Sequence, residues 1–372
     1  MLLMIIGIPK EIKDNEYRGA LIPSGAGLLV KSGHKVIIQK SAGIGSGFTD
    51  NEYKEIGAEI ADDAKNVYDK SELIVKVKEP LSAEYPLIKE NHIIFTFLHL
   101  SADKELINAL IKTRAVFIAY ETVELEDGSL PILTPMSEVA GRLSVLIGAQ
   151  YLMKPAGSMG ILLGAVPGVK RGKVTILGAG IVGLNAAKIA VGIGAEVTII
   201  NRGIDKLRII DNIFGSRIET LASNPYNIEK SVVESDLVIG AVLIKGAKAP
   251  VLITKEMLKK MKRGSVIVDV SIDQGGCVET MRPTTHSNPV YDVDGVIHYG
   301  VTNIPGVVPR TSTFALTNAT LPYIKKIADN GLKILKGDSA LTKGVNISKG
   351  KITYPAVTEA LKKSGGKAFS RL

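Results

Sequence analysis

Cysteine and tryptophan are nearly missing from this chain: Cys277 is its one thiol, and it has no Trp in 372 residues. A single thiol rules out an intrachain disulfide framework and suits a reducing compartment, so a cytoplasmic location is expected. Cys277 has no CxxC partner, and no two of His34, His92, His99, His286 and His298 stand at metal-ligand spacing, so no metal is expected. Long hydrophobic runs are also missing. The longest apolar stretches are strand-sized and broken by Gly or Pro, which excludes a membrane span. The opening Met1-Leu-Leu-Met-Ile-Ile has neither a charged n-region nor a cleavage site and reads as a buried first strand. Positive charge is in excess, at +9, but it is dispersed. There is no basic run of five and no interleaved aromatic, so nucleic acid is not expected as a partner. Lys325-Lys326 and Lys349 to Lys351 read as solvated helix faces and turns, and a pocket for anionic ligands accounts for part of the excess.

What the chain does have is a glycine turn near its middle. Lys173-Val-Thr-Ile-Leu177 reads as a strand, Gly178-Ala-Gly180-Ile-Val-Gly183 follows directly, and an Ala-rich helical stretch comes next. The three glycines have separate jobs in a dinucleotide site. Gly178 permits the tight turn, Gly180 admits a pyrophosphate against the backbone, and Gly183 lets the helix pack on the strand. The first helical turn offers free N–H groups and a positive dipole end to the phosphates. The next strand, Glu196–Ile200, should end at an acid for the ribose hydroxyls. It ends instead at Asn201, followed by Arg202. Asn bonds a ribose hydroxyl without repelling a 2′-phosphate, and Arg202 reads either as a phosphate partner or as a solvated loop cation. Asp205 reads as an N-cap or first-turn acid of the following helix.

Strand-type runs at Ile5–Ile8, Lys35–Gln39, Leu73–Val77, Ile93–Phe97 and Val116–Tyr120 alternate with helical patterns. A second series runs from Val174–Leu177 through Val197–Ile200, Leu237–Ala241, Ser265–Val270 and Val296–Gly300. This βα alternation predicts α/β architecture with two Rossmann-like, doubly wound parallel-sheet domains separated by a cleft. The mid-chain position of the glycine turn places the dinucleotide domain at 132–307. Residues 308–372 show little strand signal and are too few for a third core. They are expected to return to 1–131 and complete a discontinuous substrate domain.

Ligand sites in such sheets lie beyond the carboxyl ends of strands. Lys78 follows the strand Leu73–Val77, His99 follows Ile93–Leu98, and Asp273 follows Ser265–Val270. The first strand leads through Glu11 to Arg18. A cation that fixes a carboxylate and a group titrating near neutrality are what an oxidoreductase needs for a small anionic substrate. Each residue also has a plainer reading. His99 can be a packed residue ending an apolar strand, Lys78 with Glu79 a surface ion pair, and Asp273 an Asx turn before two glycines, while Arg18 is bland by itself.

Ordered blocks along nearly the whole chain add a further argument. They are GIPKEIKDNEYR, IVKVKEP, FTFLHLS, PMSEVAGR, GAVPGV, LGAGIVGLNAA, GAVLIKGAKAP, DQGGC, RPTTH and TSTFALTNATLPY. Together they resemble the alanine dehydrogenase and proton-translocating transhydrogenase alpha-subunit family, and its alanine dehydrogenase branch in particular. The resemblance implies reversible oxidative deamination of L-alanine to pyruvate and ammonium with a nicotinamide cofactor, NAD, with NADP acceptance raised by Asn201-Arg202. It implies that Lys78 and Arg18 hold the substrate, that His99 is the general acid/base, and that Asp273 assists with water or ammonia. It places Ser137, Asn303 and Ile304 at the nicotinamide end, Ser223 at the adenosine end, and Val242 and Leu243 along the cofactor cleft. It also implies a homo-oligomer, a hexamer. Transhydrogenase alpha subunits carry VNAP where this chain has VKEP and lack the block with His99. Besides that branch, the alternative is a non-catalytic nucleotide-binding protein of the same fold.

Overall fold

The computed structural model describes residues 3–100, 103–242 and 249–363. The chain divides into two compact units, unit 1 comprising Met1–Met136 with Gly306–Leu372 and unit 2 comprising Ser137–Pro305. Each is built on one mostly parallel sheet flanked by helices.

Unit 1 holds β1 (Ile5–Ile8), β2 (Lys35–Gln39), β3 (Glu59–Ala61), β4 (Leu73–Val75), β5 (Ile93–Thr96) and β6 (Val116–Ala119). Unit 2 holds β7 (Lys173–Leu177), β8 (Glu196–Asn201), β9 (Glu219–Ala222), β10 (Leu237–Gly240), β11 (Val266–Asp269), β12 (Val290–Val293) and β13 (Val296–Tyr299). The C-terminal segment then adds β14 (Val345–Ser348) and β15 (Lys351–Ile352) to unit 1. The parallel strands run β3-β2-β1-β4-β5-β6 in unit 1 and β9-β8-β7-β10-β11-β13 in unit 2. The two orders are the same. In each the chain winds outward on one side of the first strand, then crosses back and winds the other way. Each sheet therefore has a topological switch point, between β1 and β4 in unit 1 and between β7 and β10 in unit 2.

Strands β4, β5, β6, β10 and β11 are buried along their whole length, which is why their sequences are continuous apolar runs rather than alternating ones. The period of two shows instead in which core each residue joins. Val36, Ile38, Leu73, Val75, Ile93 and Phe95 enter one cluster, while Ile37, Ile74 and Ile94 enter the cluster on the opposite face. In unit 2, Val174 and Ile176 face one cluster and Leu177 the other, with Leu237 and Ile239 against Val238 alongside. Leu316, Ile324 and Ile327 of the helix Pro309–Asn330 lie in the first core of unit 1, so the returning segment is part of that core.

The C-terminal segment departs from the sequence reading, which found little strand signal there. Strand β14 pairs antiparallel with β6 and with β15, and β12 pairs antiparallel with β13. Both hairpins turn through two residues at positive φ: Lys349 at 49° with Gly350 at 76°, and Asp294 at 55° with Gly295 at 85°. These signs match the twist of a tight hairpin. The apolar pattern of Thr317–Lys336 reads as one long amphipathic helix, and the helix found there begins earlier and ends sooner. It spans Pro309–Asn330 with Pro at its first turn, where a missing N–H costs no hydrogen bond. Among the described residues no helix is long and apolar enough to cross a membrane.

Candidate active site

In unit 1 the strands flanking the switch point, and the two beyond β4, deliver polar side chains from their carboxyl ends. The segment after β1 carries Glu11, Glu16 and Arg18. Lys76, Lys78 and Glu79 follow β4, His99 follows β5, and Glu121 follows β6.

Arg18 is 2% exposed. Its Nε donates to Glu16 Oε1 at 2.7 Å and its Nη2 to Glu16 Oε2 at 2.5 Å, while Nη1 lies 3.2 Å from Met136 Sδ. Two parallel bonds to one buried carboxylate fix the plane of the guanidinium. Lys76 is fully buried between two acids, with Nζ 3.2 Å from Glu11 Oε2 and 2.9 Å from Glu84 Oε1. Burial pushes the Glu11 carboxyl up, against the pull of Lys76. Burial also works to discharge Lys76, and Glu11 with Glu84 more than offset it, so its ammonium stays charged above its ordinary range. Glu11 has a second task. Its Oε1 accepts from Val77 N at 2.6 Å and Lys78 N at 3.4 Å, which ties the end of β4 to the segment after β1. Thr96 Oγ1 donates to Lys78 O at 2.8 Å from the other side.

Lys78 is buried, not a surface cation, and Glu79 forms its ion pair with Lys13. Burial alone would raise the Glu79 carboxyl, but Lys78, Lys13 and His99 hold it below its ordinary range. His99 is half-buried with φ of 49°, a left-handed conformation that costs a non-glycine residue about 1–3 kcal/mol. Its ring stacks on Phe97, with centroids 5.7 Å apart and planes within 5°. The other histidines of the unit are structural by their contacts. His34 Nε2 sits 3.0 Å from Asp329 Oδ1, and His92 Nε2 sits 3.0 Å from Tyr68 O.

In unit 2 the three glycines meet three different surroundings. Gly178 has φ of 110°, and a Cβ there would lie 2.5 Å from Ala241 O. A Cβ on Gly183 would lie 1.8 Å from Gly178 O, so only glycine lets the helix Ile181–Gly192 start against the turn. Around Gly180, the N-cap of that helix, a Cβ would meet nothing within 4 Å. Open space at a helix N-terminus, over a strand that flanks the switch point, fits a dinucleotide pyrophosphate. Asn201 ends β8, where its Oδ1 accepts from Ala179 N at 3.0 Å and its Nδ2 donates to Gly203 O at 2.9 Å. Arg202 is exposed. Ser223, just past the end of β9, donates its backbone N–H to Asn201 O at 3.0 Å. Asp205 is a first-turn acid of the helix Ile204–Phe214.

Asp273 is exposed on the turn Val270–Gln274. That turn is organised by Asp269, which the sequence reading passed over. Asp269 is buried, and its carboxylate accepts from Ser271 N at 2.9 Å and Cys277 N at 2.7 Å. Burial pushes its pKa up to about 6 despite those bonds. Ser271 Oγ in turn accepts from Val242 N at 2.9 Å. Asn303 is buried with φ of 72°, its carbonyl O 3.2 Å from His286 Nε2, and Ile304 joins the unit 2 core. Ser137 lies in the helix Leu133–Tyr151, whereas Leu243 lies outside the described residues. Thus Arg18, Lys78 and His99 belong to unit 1, and Asp273 and the candidate cofactor residues to unit 2. Among the described residues no group of three or more His, Cys, Asp or Glu is arranged to hold a metal ion.

Residues 7–140 match the family described as alanine dehydrogenase/PNT, N-terminal domain, and residues 144–355 match its C-terminal domain. The chain is 56% identical over 359 residues to the alanine dehydrogenase of Methanococcus maripaludis, covering 96% of each protein. It is 57% identical over 360 residues to that of Bacillus subtilis, covering 96% of this chain and 95% of the other. A solved L-alanine dehydrogenase structure superposes with a TM-score of 0.93 at 52% identity, covering 97% of this chain and 99% of that one.

Proposed function

Because the chain belongs to the alanine dehydrogenase/PNT family, we propose that it catalyses the reversible oxidative deamination of L-alanine to pyruvate and ammonium. The observation that carries this reading is the set of Arg18, Lys78 and His99 beyond β1, β4 and β5, around the switch point of a sheet separate from the one bearing the glycine turn. Two buried cations and a histidine at that place favour a small anionic substrate over transhydrogenation or passive nucleotide binding.

When bound, a nicotinamide dinucleotide supplies the two-electron acceptor for the hydride that leaves the alanine α-carbon. The chain's own groups do the rest. Arg18, with one face of its guanidinium spent on Glu16, and Lys78 hold the carboxylate and the developing carbonyl oxygen. His99 takes the proton from the water that adds to the imine carbon and returns it as ammonium leaves, and Asp273 assists that transfer. The reaction consumes one water and releases one proton in the deaminating direction. His99→Ala is expected to lower kcat by about 10²–10⁴ with cofactor affinity kept. Arg18→Ala acts chiefly on the KM for alanine and pyruvate. Initial rates with L-alanine test the reading, and near-wild-type turnover in His99→Ala would refute the role of that residue.

NAD is the cofactor of this reading, and the environment of Asn201 supports acceptance of NADP as well. Its side-chain oxygen is engaged by Ala179 N–H, no carboxylate stands at that position to repel a 2′-phosphate, and Arg202 is exposed beside it. Comparing kcat/KM for NAD and NADP, with and without Arg202→Ala, tests this. A homo-oligomer in the cytoplasm, a hexamer, completes the proposal and is open to light scattering. Leu162, Val166 and Val169, each more than half exposed, are apolar side chains an assembly would cover.

A further inference from the structure

His99 needs an explanation that its own side chain does not supply, because it is held in a left-handed conformation that is uncommon outside glycine. Strands β5 and β6 are parallel neighbours in register through Thr96 and Ala119. The chain leaves β5 as Phe97-Leu98-His99 and leaves β6 as Tyr120-Glu121-Thr122. The second segment grips the first at two levels. Glu121 Oε1 accepts from His99 N at 2.6 Å and from Leu98 N at 3.1 Å, and its Oε2 lies 3.3 Å from the same Leu98 N. Two consecutive backbone N–H groups thus converge on one carboxylate, the arrangement of an anion-binding nest. Tyr120 sits edge-on to Phe97, with centroids 5.1 Å apart at 84°, and Phe97 carries the His99 ring on its face. Glu121 sets the backbone of His99, and the aromatic pair sets the plane of its imidazole.

Resting on the acid/base reading of His99, we propose that Glu121 is a positioning residue of this enzyme, which holds the imidazole in its working orientation through charge-assisted bonds to the Leu98 and His99 amides. A carboxylate is the fitting group because its charge strengthens both bonds, while its distance along the chain lets β6 rather than the β5 loop dictate the geometry. Glu121 acts through His99 and does not itself touch substrate.

The test is a double-mutant cycle on kcat in the deamination assay, with Glu121→Met, Glu121→Gln and His99→Ala singly and combined. Glu121→Met is expected to lower kcat up to about 100-fold, the scale of a catalytic group misplaced by an ångström. Glu121→Gln keeps a neutral acceptor and is expected to lose about threefold to tenfold. In the His99→Ala background both substitutions should change kcat by less than about twofold, because the group they orient is gone. Equal losses in both backgrounds would overturn the proposal and assign Glu121 a general structural role. If Glu121→Met does not fold, the Gln cycle decides alone. Full turnover in His99→Ala would overturn the acid/base reading and this inference with it, whereas an inactive His99→Ala with additive Glu121 losses overturns the inference only.

Discussion

Unit 1 and unit 2 are wound in the same strand order, yet they arrange their candidate functional groups by opposite means. Unit 1 uses charged side chains, several of them held by a counter-ion. Arg18 is clamped by Glu16, Lys76 is held between Glu11 and Glu84, and Glu79 pairs with Lys13. Unit 2 uses backbone. Its turn is shaped by Gly178 and Gly183, its free N–H groups lie open at Gly180, and its buried Asp269 is satisfied by amides rather than by a cation. The ligands of the proposed function account for the difference. A small amino or keto acid presents little surface, so its recognition depends on a few charges fixed in low dielectric, and such charges need internal counter-ions. A dinucleotide is large and its pyrophosphate is read by N–H groups that any sequence carries, so what must be specified is the room to approach them.

The largest expected effect comes from breaking the ion set of unit 1. Lys76→Met is similar in length and removes the charge, leaving Glu11 and Glu84 buried without their shared partner. Removing one member of such a set costs about 3–5 kcal/mol. Burial already raises the Glu11 carboxyl, and without Lys76 it binds a proton still more tightly folded than unfolded, so the deficit should be greatest at high pH and shrink as Glu11 is protonated in acid. Urea unfolding at pH 5 and pH 8 measures both. Wild-type stability at pH 8 would mean that the triad contributes nothing to unit 1.

The same contrast decides what could be read from the sequence. The central strands were legible because residues buried on both faces must be apolar throughout, as in Ile93-Ile-Phe and Val266-Ile-Val. The glycine turn was legible because steric exclusion at Gly178 and Gly183 allows one residue type. The edge strands β3, β9, β12 and β15 were missed because they are short and half-exposed, and β14 because only two of its four residues are buried, although Asp294-Gly295 and Lys349-Gly350 were usable hairpin signals. The clamps on the candidate site were not legible. Glu11 meets Val77 and Lys78 from 66 and 67 positions away, and Glu121 meets His99 from 22 away. No local spacing encodes such pairs, and Arg18 looked unremarkable because its burial does not show in the sequence, although Glu16 stands only two positions away. Asp269 was hidden for a different reason. As the last residue of an apolar strand it resembled an ordinary strand end, and Asp273 drew the attention.

Asp269 sharpens the comparison, because it is a buried carboxylate with no cation against it among the described residues. Its folded-state pKa of about 6 lies above the ordinary 3.8. The folded state therefore binds the proton more tightly. The stability associated with this group is complete below about pH 4 and is lost as pH rises through about 6, a swing of roughly 3 kcal/mol. Asp269→Asn removes the titration, and it also replaces one of two acceptor oxygens by an amide that faces an N–H. The variant should be less stable than wild type at pH 4, and the difference should narrow by pH 7. Melting curves of both proteins across that range test it, and a difference that does not change with pH would place the Asp269 titration outside folding.

The smallest stability effect belongs to Gly180. A methyl group there meets no protein atom within 4 Å, and the backbone, at φ −79° and ψ −165°, suits any residue. Gly180→Ala should therefore change stability by less than about 0.5 kcal/mol, the entropic gain from losing a glycine offsetting the loss of a tolerated N-cap. The same methyl occupies the space in which a pyrophosphate would approach the helix N-terminus, so NADH affinity should fall by about tenfold or more, equivalent to about 1.4 kcal/mol. Fluorescence titration with NADH beside a thermal melt separates the two quantities. Loss of affinity at constant melting temperature is the signature of a site specified by vacant space, whereas unchanged affinity would mean that the phosphates are bound elsewhere than over Gly180.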